Sequence, residues 1–139
     1  MLSVVLFAAR ARVPVSGLPV AMARSLASLV TGAVEGVIRD VALAVLTGTP
    51  DARLIADHAG CALAEAGEPG EALAKALAAA RSDLIMVLSA GYAPEEGFIG
   101  EVSDLVDIPR RAALMRVHPY NWVTRVAPAL CPEIGRAHV

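Results

Sequence analysis

Cysteine is scarce in this chain of 139 residues. Cys61 and Cys131 lie far apart and share no metal-ligand spacing, which excludes a thiolate metal cluster. Such sparse usage suits a reducing compartment, so the expected location is cytoplasmic. Charge of one sign is missing as well. Twelve basic residues face fourteen acidic ones for a net charge of -2, and no basic stripe of the kind nucleic acid requires is present. Arg110, Arg111 and Arg116 come nearest, and they read as a solvated loop edge. No window reaches the roughly 20 apolar residues of a membrane-spanning helix. Ser25 to Leu46 is the longest candidate, and Glu35, Arg39 and Asp40 interrupt it, so no transmembrane segment is expected. Met1 to Ala9 is apolar but has no basic residue ahead of it, and Arg10 and Arg12 follow instead, so a secretory leader is not expected. Two nucleotide motifs are also lacking: no G-x-G-x-x-G follows the first apolar run, and G-K-[ST] occurs nowhere.

What the chain does have is apolar residues, 56% of the total. Much of the excess over an average protein is alanine, which suits close packing of helices on a sheet. This composition excludes disorder, which needs low hydrophobicity and high charge. The length fits a single domain that buries about two-thirds of its unfolded surface without staples.

Apolar runs alternate with helical patterns. LSVVLFA at Leu2 to Ala8 has no polar alternation and predicts a strand buried on both faces. Pro14, Ser16 and Gly17 make Arg10 to Leu18 a loop, and Pro19 suits a first helical turn. Val20 to Val30 places Met22, Leu26, Leu29 and Val30 on one helical face, with Thr31 to Gly36 closing the helix. A second strand is expected over Val37 to Leu46. Thr49 then reads as a helix cap, Pro50 as the first helical residue and Asp51 as a match to the dipole. That helix is expected to reach about His58 and stop at Gly60. A short strand is expected over Cys61 to Glu65, a loop at Gly67, Pro69 and Gly70, and a helix over Glu71 to Arg81 with a Glu71–Lys75 pair. Asp83 to Leu88 predicts a fourth strand, Ser89 to Ala93 a turn, and Pro94-Glu95-Glu96 the opening of a helix to about Leu105. Arg111 to Val117 is a further strand candidate, and the tail from Pro128 reads as loosely ordered. The alternation implies a three-layer α/β/α fold with a mainly parallel sheet and right-handed crossovers.

Ligands of such sheets bind at the carboxyl ends of the strands, which directs attention to Ala9–Leu18, Val45–Thr49 and Ser89–Ala93. Around these loops the chain resembles family 2 glycosyltransferases, which have the GT-A nucleotide-diphospho-sugar transferase fold, and short bacterial members most of all. LSVVLFAARAR at Leu2 to Arg12 is similar to the family's opening strand, and ARSLASLV at Ala23 to Val30 to the helix after it. RDV at Arg39 to Val41, ARLIADHAGC at Ala52 to Cys61, ALAKALAAARSDLIMVLSA at Ala72 to Ala90 and GFIGEVSDLV at Gly97 to Val106 follow in the family's order. The similarity implies a truncated GT-A-like domain over 1–117, with an irregular extension over 118–139 packed on it or on a partner.

The departures from the family fall where the chemistry belongs. The family's second strand ends in an Asp that contacts the nucleotide base, and Val45 stands there, followed by Thr47 in the turn, with Pro50 at the next Asp position. The family's metal-binding Asp-x-Asp is matched by Ser89-Ala90-Gly91. Its Asn-Glu loop is matched by Ala9-Arg10-Ala11-Arg12. Mg²⁺ or Mn²⁺ needs hard oxygen ligands, chiefly carboxylates, and the cation neutralises the departing diphosphate. Neither ion is therefore expected as a cofactor unless an unusual site serves an active enzyme. The catalytic Asp and the acceptor-binding half of active members have no match.

The resemblance thus implies a substrate pocket inherited at Arg10, Arg12, Val45, Thr47, Ser89 and Gly91 without catalytic residues. The expected function is a degenerate, non-transferring protein that binds, through an apolar face, a protein partner or a second copy. The alternatives are a metal-independent transferase using a nucleotide-sugar and a nucleotide-binding regulator. Arg10 and Arg12 could pair with phosphate. Asp104, Asp107, Glu95 and Glu96 read as helix-end residues, and His58 as a residue favoured by a helix carboxyl end. Tyr120 and Trp122, beside His118, have either the chemistry of a contact surface or that of an aromatic plug under the sheet edge.

Overall fold

The computed structural model describes residues 1–11, 13–95 and 97–106, with short strands at 114–115 and 137–138. The apolar run without alternation becomes β1, Leu2–Phe7, and it lies where such a run must, between two other strands. It pairs in parallel with β2, Ile38–Leu46, on one side and with β4, Ile85–Ser89, on the other. β3, Ala62–Ala66, pairs in parallel with β2. The described chain is thus an α/β protein whose core is four parallel strands flanked by helices. Two short strands, β5 at Leu114–Met115 and β6 at Ala137–His138, extend the sheet, with β6 antiparallel to both β4 and β5. The order is β3-β2-β1-β4-β6-β5.

That order decides which face each helix covers. From β1 to β2 to β3 the chain steps in one direction, so right-handed crossovers put α1 (Leu18–Ser28), α2 (Val30–Val34) and α3 (Ala52–Ala59) on one face. From β3 to β4 the chain crosses back over β2 and β1, so α4 (Pro69–Ala79) lies on the other face. The side chains follow the period of two. Leu2, Val4 and Leu6 of β1, Leu43 and Val45 of β2, and Met86 and Leu88 of β4 pack against Leu18, Met22 and Leu26 of α1 and Val102 of α5, Phe98–Val106. Val5, Ala42, Ala44, Ala64 and Ala66 face α4, which answers with Ala72 and Ala76. Alanine on both sides lets this helix lie close on the sheet. The aliphatic face carries more of the stability, since each fully buried Leu or Met side chain contributes about 1.5–3 kcal/mol.

Several sequence expectations move. Thr31–Gly36 does not simply end a helix, because α2 restarts at Val30 after a break at Leu29. Pro69 and Gly70 belong to the first turn of α4, where a missing N–H costs nothing, and the Glu71–Lys75 pair forms at 3.0 Å. Thr49 does not cap α3. Its hydroxyl turns back to donate to the Leu46 carbonyl at 2.6 Å, which leaves Asp51 as the cap residue, with φ 57 and no side-chain cap bond. The fourth strand begins two residues late, at Ile85, because Ser82 to Leu84 bend into it. The helix after Pro94 begins at Phe98. The tail expected to be loose supplies β6 at Ala137–His138, and β5 realises part of the Arg111–Val117 strand. Cys61 is half-buried. By length and composition alone, the stretch 15–34 is apolar enough to cross a membrane, a window the sequence reading passed over. In the fold it is a 3-10 turn and two helices, and Leu18, Ala21, Met22, Ser25 and Leu26 of α1 are buried.

Candidate functional site

The strand order reverses between β1 and β4, so the carboxyl ends of these strands and of β2 form the switch-point crevice in which doubly wound sheets hold ligands. Phe7 sits opposite Ala44 of β2 and opposite Ser89 of β4. With strands about 4.8 Å apart, the ends of β2 and β4 stand roughly 10 Å from each other across β1.

Two tight turns close these ends in the same way. After β2, Thr49 N–H donates to the Leu46 carbonyl at 3.1 Å, with Gly48 third in the turn at φ 83. After β4, Tyr92 N–H donates to the Ser89 carbonyl at 3.2 Å, with Gly91 third at φ 100. A positive φ at that position is what a type II turn requires, and glycine adopts it without a Cβ penalty.

The second turn is held from below. Ser25 of α1 is 0% exposed. Its hydroxyl donates to the Tyr92 carbonyl at 2.7 Å and accepts from Gly91 N–H at 3.0 Å. A Cβ on Gly91 would stand 3.3 Å from Val13 Cγ2. Where the resemblance puts a metal-binding Asp-x-Asp, the protein has a neutral turn pinned by a buried serine. Ser89-Ala90-Gly91 does not fit a divalent cation, because it offers one hydroxyl and no carboxylate. Among the described residues, no three His, Cys, Asp or Glu side chains gather as a metal-holding group.

The structure brings Arg10, Thr47, Ser89 and Gly91 to the same edge of the sheet. Arg10 and Thr47 are exposed, while Ser89 and Gly91 are half-buried. Val45 is not at that edge. It is fully buried beneath the helices, in one cluster with Leu43 and Ala52, so it meets no solute there. Arg12, Glu96, Asp107, His118, Tyr120 and Trp122 lie outside the described residues. Glu95 and Asp104 are exposed. Asp51 is the residue the sequence reading undervalued. Among the described residues it is the one non-glycine with positive φ, and its exposed carboxylate stands just past the β2 turn, unused as a cap. A positive φ cannot be read from neighbouring residue types, so no sequence signal marked it.

A second concavity lies elsewhere, in the helical layer. A cavity of about 560 Å³ opens between α1, α2 and α3, and Leu26, Val30, Val41, Leu54, Ile55 and Cys61 are among its lining residues. Val30 and Leu54 are exposed. His58, in the last turn of α3, also lines it. Burial pushes the Cys61 thiol above its ordinary pKa, so this thiol is a poor nucleophile at neutral pH.

Comparison with protein-family models, with curated proteins and with solved structures finds no match to this chain.

Proposed function

We propose that this protein is a binding or accessory protein without sugar-transfer activity, a degenerate relative of the family 2 glycosyltransferases it resembles. The observation that carries this reading is the neutral turn after β4. Ser25 consumes the Gly91 N–H and the Tyr92 carbonyl internally, and Ser89-Ala90-Gly91 itself offers no carboxylate to hold a cation against a diphosphate. The apolar cleft between α1, α2 and α3 supplies the kind of surface a protein partner or a second copy would cover. On this reading the protein works in the cytoplasm.

The test is thermal unfolding with UDP- and GDP-sugars, with and without Mn²⁺. The expected result is an unchanged Tm in every combination. A rise that requires both sugar nucleotide and Mn²⁺ would overturn the proposal. A second reading, a metal-independent transferase or nucleotide-binding regulator, has one observation in its favour: Asp51 holds an exposed carboxylate, unused as a cap, in a strained backbone conformation at the carboxyl edge, with Arg10 exposed at the same edge. A nucleotide-dependent rise without Mn²⁺, lost in Asp51→Asn, would select it.

A further inference from the structure

β3 is the terminal strand of the sheet among the described residues, and terminal strands offer unpaired backbone groups to other chains. Register shows which groups these are. Thr47 N–H donates to the Ala66 carbonyl at 2.9 Å, and Ala62, Ala64 and Ala66 alternate with Leu63 and Glu65. The backbone groups of Leu63 and Glu65 therefore point away from β2.

Glu65 is gripped from both layers. Lys75 of α4 donates from Nζ to the Glu65 backbone carbonyl at 3.1 Å. Glu71, one turn earlier on the same helix, holds that ammonium at 3.0 Å. From the opposite layer, Arg53 Nη2 of α3 meets Glu65 Oε2 at 3.1 Å. A string of four charged side chains thus runs from α4 around the strand to α3, and among the described residues its one backbone contact is an outward-facing carbonyl of the edge.

We infer that the Glu71–Lys75–Glu65–Arg53 string is a guard that keeps a second copy of this chain from adding to the β3 edge. Lys75 is its working part, because it occupies the carbonyl that an incoming strand's N–H would need. An incoming strand would also have to desolvate the ammonium and the carboxylates beside it. The guard concerns the edge strand alone and is independent of the strand-end site and of the apolar cleft.

The test compares wild type with Lys75→Ala, Lys75→Arg and the double variant Lys75→Ala/Glu65→Thr, using light scattering and amide hydrogen exchange on the full chain. Circular dichroism checks that each remains folded. Lys75→Arg, which keeps a donor, is expected to match wild type in mass at every concentration, with the Leu63 and Glu65 amides unprotected in both. Lys75→Ala is expected to show a concentration-dependent doubling of mass, and the double variant the same doubling at lower concentration. In the associated species the Leu63 and Glu65 amides are expected to exchange at least tenfold more slowly. A folded double variant that stays monomeric would overturn the inference. So would association that leaves these two amides unprotected, or a wild type already paired through β3.

Discussion

The two ends of the parallel sheet are each closed by one buried serine, and they differ in what stands beside it. At the amino end, Ser3 of β1 is 1% exposed. It donates to Asp40 Oδ1 at 2.6 Å and accepts from the N–H groups of Arg81 and Ser82 at 3.2 and 3.0 Å. Asp40 Oδ2 accepts from Arg81 N–H at 3.3 Å, and Arg39 Nη1 donates to the Arg81 carbonyl at 3.1 Å. At the carboxyl end, among the described residues, Ser25 Oγ bonds only to neutral backbone. The charged cluster thus sits at the end where doubly wound proteins do no chemistry, and the end where they bind ligands is stitched by a neutral group. A carboxylate held by a serine and a backbone amide is a structural anchor. A strand-end turn whose polar atoms are consumed from within has few left for a substrate.

The contrast can be broken most forcefully at Ser25. Ser25→Val leaves the half-buried Gly91 N–H and Tyr92 carbonyl without their serine partner. With each orphaned group costing about 1–3 kcal/mol, a loss of about 3 kcal/mol is expected in urea unfolding. A loss below about 1 kcal/mol would show that water replaces the serine and that the crevice is open. Ser3→Ala is the matching cut at the amino end. Arg81 N–H keeps Asp40 Oδ2, while Ser82 N–H loses its acceptor and the half-buried Asp40 Oδ1 loses its donor, and a loss of about 1–2 kcal/mol is expected in the same assay. Should Ser3→Ala prove the costlier of the two, the ranking of the ends would be reversed.

Gly91→Ala sharpens the comparison between the two strand-end turns. At φ 100, with Val13 Cγ2 3.3 Å from the new Cβ, it is expected to cost about 1–3 kcal/mol. Gly48→Ala, at φ 83 with open space around the Cβ, is expected to cost about 1 kcal/mol, from backbone strain alone. Equal losses would mean that packing against Val13 contributes nothing.

The smallest effect is expected at Cys61, away from both ends. Its thiol ionises at higher pH in the folded protein than in the unfolded chain. The unfolded state therefore gives up its proton first as pH rises, and stability falls through the alkaline range where a free thiol ionises. In a Cys131→Ser background, Cys61→Ser is expected to flatten that decline slightly. An unchanged slope would place the thiol in water.

The alternation of apolar runs and helical patterns was enough to write the β-α order. Burial on both faces erases the polar alternation of β1 and leaves a readable mark. Gly60 stopped α3 where its left-handed preference said it should, at φ 67. That the turns Leu46–Thr49 and Ser89–Tyr92 contain no carboxylate is equally a matter of residue identity, visible without coordinates. What sequence could not supply were facts that depend on distant partners. Thr49 has the composition of a cap, yet its hydroxyl found a carbonyl three residues back. Val45 reads as a strand-end contact and is enclosed by α3. Ser25 reads as an ordinary helix residue until Tyr92, 67 positions later, arrives above it.

The sequence by itself determined the class of fold, because periodicity and local backbone preference are properties of neighbouring residues. The tertiary structure alone decided which strand lies at the edge, which helix covers which face and which serine closes which end. Those follow from the direction in which the chain turns between β3 and β4, and no local stretch of residues records that direction.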